Sequence, residues 1–239
     1  MSAVWDAVRY LLRRLLPFAL IYFLVELMEL AVLAYREFPN LTFSLPEVLT
    51  ALPVWVGTSA VSCLFSLLPF MFYLLVLPRR RHGGLWDRRL TLLFFFLYTA
   101  GNLFEEVSEL LFWDEFTARF NFVAVDYLVY THEVVGNIIQ SYPVALFLAG
   151  ITVAALGLSA FFRGSLIPRL AAPRLALRFT GALALVLCAF SLNMVNFMEW
   201  SEKADNRYLS ELSKDGLYSL FHAFFSNELS YTDFYLTLP

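Results

Sequence analysis

Three groups of acidic and amide side chains lie in stretches that are otherwise almost wholly apolar: Glu26 and Glu29; Glu105, Glu106 and Glu109; Asn193, Asn196 and Glu199. Spacings of three and four put Glu26 with Glu29, Glu105 with Glu109, and Asn193 with Asn196 on shared helix faces. A carboxylate inside an apolar span costs on the order of 3 kcal/mol unless it is paired, hydrated or near an interface, so each such group points to a site. The chemistry open to them is a hydrated pocket that holds a lipid headgroup or the end of a glycan. Carboxylates also attract cations, but no His or Cys stands nearby with metal-ligand spacing, and no metal site is expected. The competing reading has the spans ending early, these groups in the headgroup zone, and the asparagines and Gly57, Thr58, Ser59 and Ser62 serving helix contacts.

A second pattern lies in FWDEFTARFNFVAVDYLVYTHEVVGNIIQSYP, residues 112–143. Arg119, Asp126, Glu133 and Gln140 recur every seven residues, and Phe116, Phe120, Val123, Tyr127, Tyr130, Val134 and Ile138 follow three-and-four spacing. This predicts an amphipathic helix over residues 113–143, broken near Gly136, lying in the membrane interface with its charged stripe toward water. Arg119 is then the best candidate for a lipid phosphate. The headgroup-binding candidates are Arg119, Asp126, Glu133, Glu26, Glu29, Glu105 and Glu109, with a purely bracing helix as the alternative. His82, His132 and His222 fit neither ligand spacing nor a catalytic triad and read as surface or interfacial residues.

The elements that must position these groups are membrane spans. The chain is 60% hydrophobic and 18% aromatic, only 15% charged, with a mean hydropathy of +0.67, outside the range of soluble domains. Five runs suffice to cross a bilayer: Leu15 to Ala34, Leu52 to Leu77, Leu90 to Phe112, Val144 to Phe162 and Phe179 to Glu199. The expected fold is an all-α polytopic membrane protein, with residues 1–200 a five-span domain and residues 201–239 an extracytoplasmic linker. Arginines gather at 9–14, 79–89 and 163–178, so the positive-inside rule puts the N-terminus in the cytoplasm and the C-terminus outside. A net charge of −3 with no basic face excludes a nucleic-acid partner. Cys63 and Cys188 lie in apolar runs and form no disulfide framework.

The run over residues 112–143, and NRYLSELSKDGLYSLFHAFFSNELSYTDFY from Asn206 to Tyr235, resemble segments of the lipoteichoic-acid-synthase-like phosphoglycerol transferases of the sulfatase and alkaline phosphatase superfamily. The resemblance implies a module in the bacterial inner membrane that anchors an outer catalytic domain and presents phosphatidylglycerol-type lipids. In the family that domain carries a divalent metal, such as manganese, and a threonine nucleophile. No Asp, His and Thr constellation follows Trp200, so catalytic residues are not expected in this chain, and a sulfatase-like domain is expected in cis or in trans. A small lipid-binding or transport protein without an enzymatic partner is the alternative. It would need a polar path to the cytoplasmic side, which Leu15 to Phe23 and Thr91 to Leu97 do not offer.

Overall fold

The computed structural model describes residues 2–41, 44–129, 131–167 and 172–226, and among these the regular structure is entirely helical. The α-helices are α1 (Ser2–Arg36), α2 (Leu45–Ser66), α3 (Leu68–Val76), α4 (Leu85–Phe116), α5 (Phe122–Val129), α6 (Thr131–Ser141), α7 (Val144–Phe162), α8 (Leu175–Asn193), α9 (Phe197–Ser201), α10 (Arg207–Leu212) and α11 (Gly216–Ser226). Among the described residues, five stretches are long and apolar enough to cross a membrane: Val4–Arg36, Leu45–Val76, Leu85–Phe116, Val144–Phe162 and Leu175–Asn193. The protein is an all-α, multi-pass membrane protein.

Local sequence explains the boundaries. A capping box starts α2: the Ser44 hydroxyl accepts from the Glu47 backbone while the Glu47 carboxylate receives the Ser44 backbone N–H. Pro69, which has no backbone N–H, interrupts the ladder between α2 and α3 within the second span. Thr117 closes α4 in the left-handed region, φ 52°, and turns the chain back toward the bundle. The fifth span stops at Asn193, earlier than the sequence suggested, because Asn196 starts a new short helix by accepting from the Glu199 N–H. Asn193, the last residue of α8, is exposed, as are Asn196 and Glu199, which form the cap of α9.

Helix α1 is central and packs against α2, α4 and α8, while α7 lies along α4. Phe18 stacks on Phe70 at 4.3 Å and meets Phe95 and Tyr98 edge-on at 5.1 and 5.4 Å, forming a dry aromatic layer across the middle of the bundle. Leu20, Leu24, Val153, Phe161, Leu183 and Phe190 point outward, as a lipid-facing surface requires.

Each end of this layer holds buried polar groups. At the arginine-rich end, Arg14 reaches Asp87 through two hydrogen bonds of 3.0 and 2.7 Å and adds Thr91 at 2.8 Å. Asp87 also accepts from the Tyr73 hydroxyl at 2.9 Å and the Gly83 N–H at 2.6 Å. Beside it, Arg178 donates to the carbonyls of Leu74 and Leu77 and to His82 Nε2, and His82 Nδ1 meets the Tyr10 hydroxyl at 2.6 Å. His82 Nε2 also lies 3.0 Å from the Leu77 carbonyl oxygen. Burial lowers the His82 pKa. His82 joins α1, α8 and the 78–84 turn as a half-buried residue, where the sequence suggested a surface or interfacial histidine. Arg14, counted from sequence as a loop charge, lies inside the bundle because α1 starts as early as Ser2.

A buried ion pair that loses one partner leaves an uncompensated charge, a loss of about 3–5 kcal/mol. Asp87→Asn is expected to lower stability by that order in reversible unfolding from mixed micelles. The double replacement Arg14→Met with Asp87→Leu, which removes both charges, should cost clearly less than the single one.

Candidate functional site

At the opposite end of the bundle, called here the tail end, four carboxylates face one another across two helices. Glu26 and Glu29 stand on one side of α1, Glu106 and Glu109 on the facing side of α4, and all four are buried. Glu105 sits half-buried at the edge. The turn after Thr117 brings Arg119 back into this group. Its Nη1 bonds Glu29 Oε2 and lies 3.0 Å from Glu109 Oε2, so one guanidinium ties α1 to α4. The Arg119 backbone N–H donates to Glu211 Oε2 at 2.9 Å, and Lys214 holds the other Glu211 oxygen at 2.6 Å.

The tail closes over the cluster. Asp215 is fully buried at the start of α11, and its carboxylate accepts from the Ser62 hydroxyl at 2.6 Å, the Tyr22 hydroxyl at 2.7 Å and the Tyr218 N–H at 2.7 Å. Its own N–H donates to Thr58 Oγ1 at 3.2 Å. Hydrogen bonds to a charged acceptor contribute about 1.5–3 kcal/mol each, so this residue fastens α11 to α1 and α2. Leu212 adds an apolar contact with Leu33 and Trp113. Gly216, the first residue of α11, lies so close to the Glu109 carboxylate that an added Cβ would overlap it. The helix N-terminus, with its partial positive charge, thus abuts an acid. Gly57 has a packing role, since the Phe197 ring fills the space that its side chain would take.

One guanidinium cannot balance this many acids. Burial works against the charge of Arg119, yet Glu109, Glu29 and Glu26 outweigh it and raise its pKa well above the ordinary arginine value. Arg119 is a fixed cation that neutralises one carboxylate. The remaining charge in this low-dielectric setting must be met by bound protons or by a cation.

A cleft of about 400 Å³ opens beside the cluster, between the end of α4 and α5–α6. Asp114, Glu115, Tyr127, Asn137, Ser141 and Tyr142 supply its polar lining, and Val134 and Ile138 its apolar part. Arg36 pairs with Asp114 at 2.5 Å and stays half-exposed at this rim. Helix α11 packs on α5, so tail and cleft share a wall.

No family model, curated protein or solved structure matches the chain. The site is therefore read from its own geometry.

Of the sequence-derived candidates, Glu26, Glu29, Glu109 and Arg119 meet in one cluster, with Glu105 at its edge. The predicted amphipathic helix over 113–143 is replaced by the end of α4, a turn, and the two helices α5 and α6. The seven-residue stripe breaks accordingly: Arg119 is buried, Asp126 and Gln140 are exposed, and the side chain of Glu133 lies outside the described residues, as do Tyr130 and the side chain of His132. Arg119 is thus sequestered by carboxylates where the sequence suggested an open phosphate contact. Sequence reading missed Asp215, Tyr22 and the hydroxyl role of Ser62. Asp215-Gly216 ahead of the apolar run LYSLFHAFF is a helix-start signal that could have flagged the first. The quoted tail beyond Ser226 lies outside the described residues.

Gly216→Ala is expected to push α11 off Glu109 at a loss of about 1–3 kcal/mol. Limited trypsin digestion in micelles should cut at Lys214 and Arg207 faster than in wild type, with cleavage at the arginine-rich end unchanged.

Proposed function

We propose that the protein is the membrane-anchoring and lipid-presenting module of a phosphoglycerol-transferase-like enzyme of the sulfatase type. It sits in the bacterial inner membrane with its N-terminus and arginine-rich end cytoplasmic, and α9 to α11 on the outer face. A sulfatase-like catalytic domain, in cis or in trans, supplies the divalent metal and nucleophile. The observation that carries this reading is the Asp215 mount, which folds the chain emerging from the fifth span back onto the bundle. Whatever α11 leads to is thereby held against the membrane, beside the α4–α6 cleft, instead of hanging on a free tether.

The cleft suits a phosphatidylglycerol-type headgroup. Asp114, Glu115, Asn137 and Ser141 can accept from glycerol hydroxyls, and Arg36 is the cation at the rim for the phosphate. The exposed apolar side chains Val135 and Ile139 on α6 offer a path for acyl chains. The transport alternative is opposed by the Phe18, Phe70 and Phe95 layer. It lies between Arg14 and Glu26, twelve residues and about 18 Å apart along α1.

In nanodiscs carrying phosphatidylglycerol with a photoactivatable headgroup, crosslinks should concentrate in residues 114–142. Asn137→Trp, which fills the cleft, should cut the yield about tenfold, equivalent to about 1.4 kcal/mol. Equal labelling by a phosphatidylcholine probe, or no effect of the substitution, would contradict the reading.

A further inference from the structure

We infer that Glu26, Glu29 and Glu106 form a binding site for one hard divalent cation, with calcium the favoured occupant. One carboxylate oxygen from each residue lies within 4.8 Å of the other two. Calcium takes oxygen ligands at 2.3–2.6 Å, so oxygens on opposite sides of one ion stand about 4.6–5.2 Å apart and neighbouring ones closer. Three oxygens confined to 4.8 Å of one another are near enough for small side-chain rotations to gather them around a single ion. Magnesium demands near-octahedral geometry and keeps its waters, so a buried cage of carboxylates favours calcium. The lack of His and Cys, which argued against a metal at the level of sequence, excludes soft ions only; hard cations need oxygen alone.

A second observation points the same way. Glu26, Glu29 and Glu106 are 2%, 3% and 6% exposed, yet Glu26 Oε2, Glu29 Oε1 and Glu106 Oε2 have no hydrogen-bond partner among the described residues. Native interiors seldom leave such atoms unsatisfied. Arg119 does not serve them: its Nη1 meets Oε2 of Glu29 and of Glu109, and its Nε and Nη2 reach no acceptor among the described residues. The chief competitor is a proton on Glu106, whose side chain is within hydrogen-bonding reach of Glu29. A proton there satisfies that pair and leaves Glu26 Oε2 without a partner among the described residues, whereas a divalent ion engages all three. The site lies under the α10–α11 cover, so occupancy would stiffen the tail's seat. It stands independently of the transferase reading, since it depends on no lipid or catalytic partner.

The test uses the protein in nanodiscs of neutral phosphatidylcholine, stripped with chelator, then given calcium, magnesium or manganese. The expected result is about one calcium retained per chain through gel filtration by elemental analysis, and a higher Tm with calcium than with chelator. Glu26→Gln and Glu106→Gln should each abolish the retained ion, while the exposed control Asp126→Asn keeps it. Should the variants fail to fold, terbium luminescence displaced by calcium on the unaltered protein reads the same site. The proposal is overturned by no retained ion and no Tm response to any of the three cations. It is equally overturned by retention undiminished in both variants, by terbium that calcium does not displace, or by a Tm that responds to pH alone.

Discussion

The tail end of the bundle rests on a single buried cation. Arg119 comes from a turn that the left-handed Thr117 makes possible, and its guanidinium joins Glu29 of α1 to Glu109 of α4. Its backbone simultaneously engages Glu211 of the tail. Without that cation, α1 and α4 would present facing rows of acids at a place where apolar surroundings screen nothing. With it, the two helices can pack and the tail has a polar floor on which Asp215 and Gly216 settle. Closure of the tail and closure of the bundle are therefore one event at this end.

The opposite end solves a similar problem differently. Arg14 and Asp87 match one for one, with Tyr73, Thr91 and the Gly83 N–H completing the carboxylate's shell. A matched pair of this kind fixes helix register, although Arg14 Nε and Arg178 Nε have no hydrogen-bond partner among the described residues. The carboxylate cluster is unbalanced by construction and retains unsatisfied oxygens. That contrast, within one protein and on the same two helices, makes the tail end the candidate functional site and the arginine-rich end a structural clasp. The aromatic layer around Phe18 keeps the two apart.

The fold was largely legible in the sequence because membrane spans are written in long apolar runs, and the fourth span, Val144 to Phe162, matches to the residue. The acids were legible individually for the same reason, as exceptions within those runs. Their convergence was not: nothing local links Glu26 to Glu106 until α1 and α4 pack. The 113–143 segment misled because seven-residue periodicity in Arg119, Asp126, Glu133 and Gln140 looks like one helix face, while Thr117 and the turn to α5 break the chain within it. Asp215 was hidden by distance, since its partners Tyr22 and Ser62 lie more than a hundred residues away in sequence.

The most direct measurement is hydrogen–deuterium exchange of the protein in nanodiscs, comparing wild type with Arg119→Met, which keeps bulk and removes the cation. Loss of protection through residues 207–226 and the end of α4, with protection around Arg14 and Asp87 retained, is the result expected if Arg119 holds bundle and tail together. Unchanged protection in 207–226, or equal loss at both ends of the bundle, would contradict it.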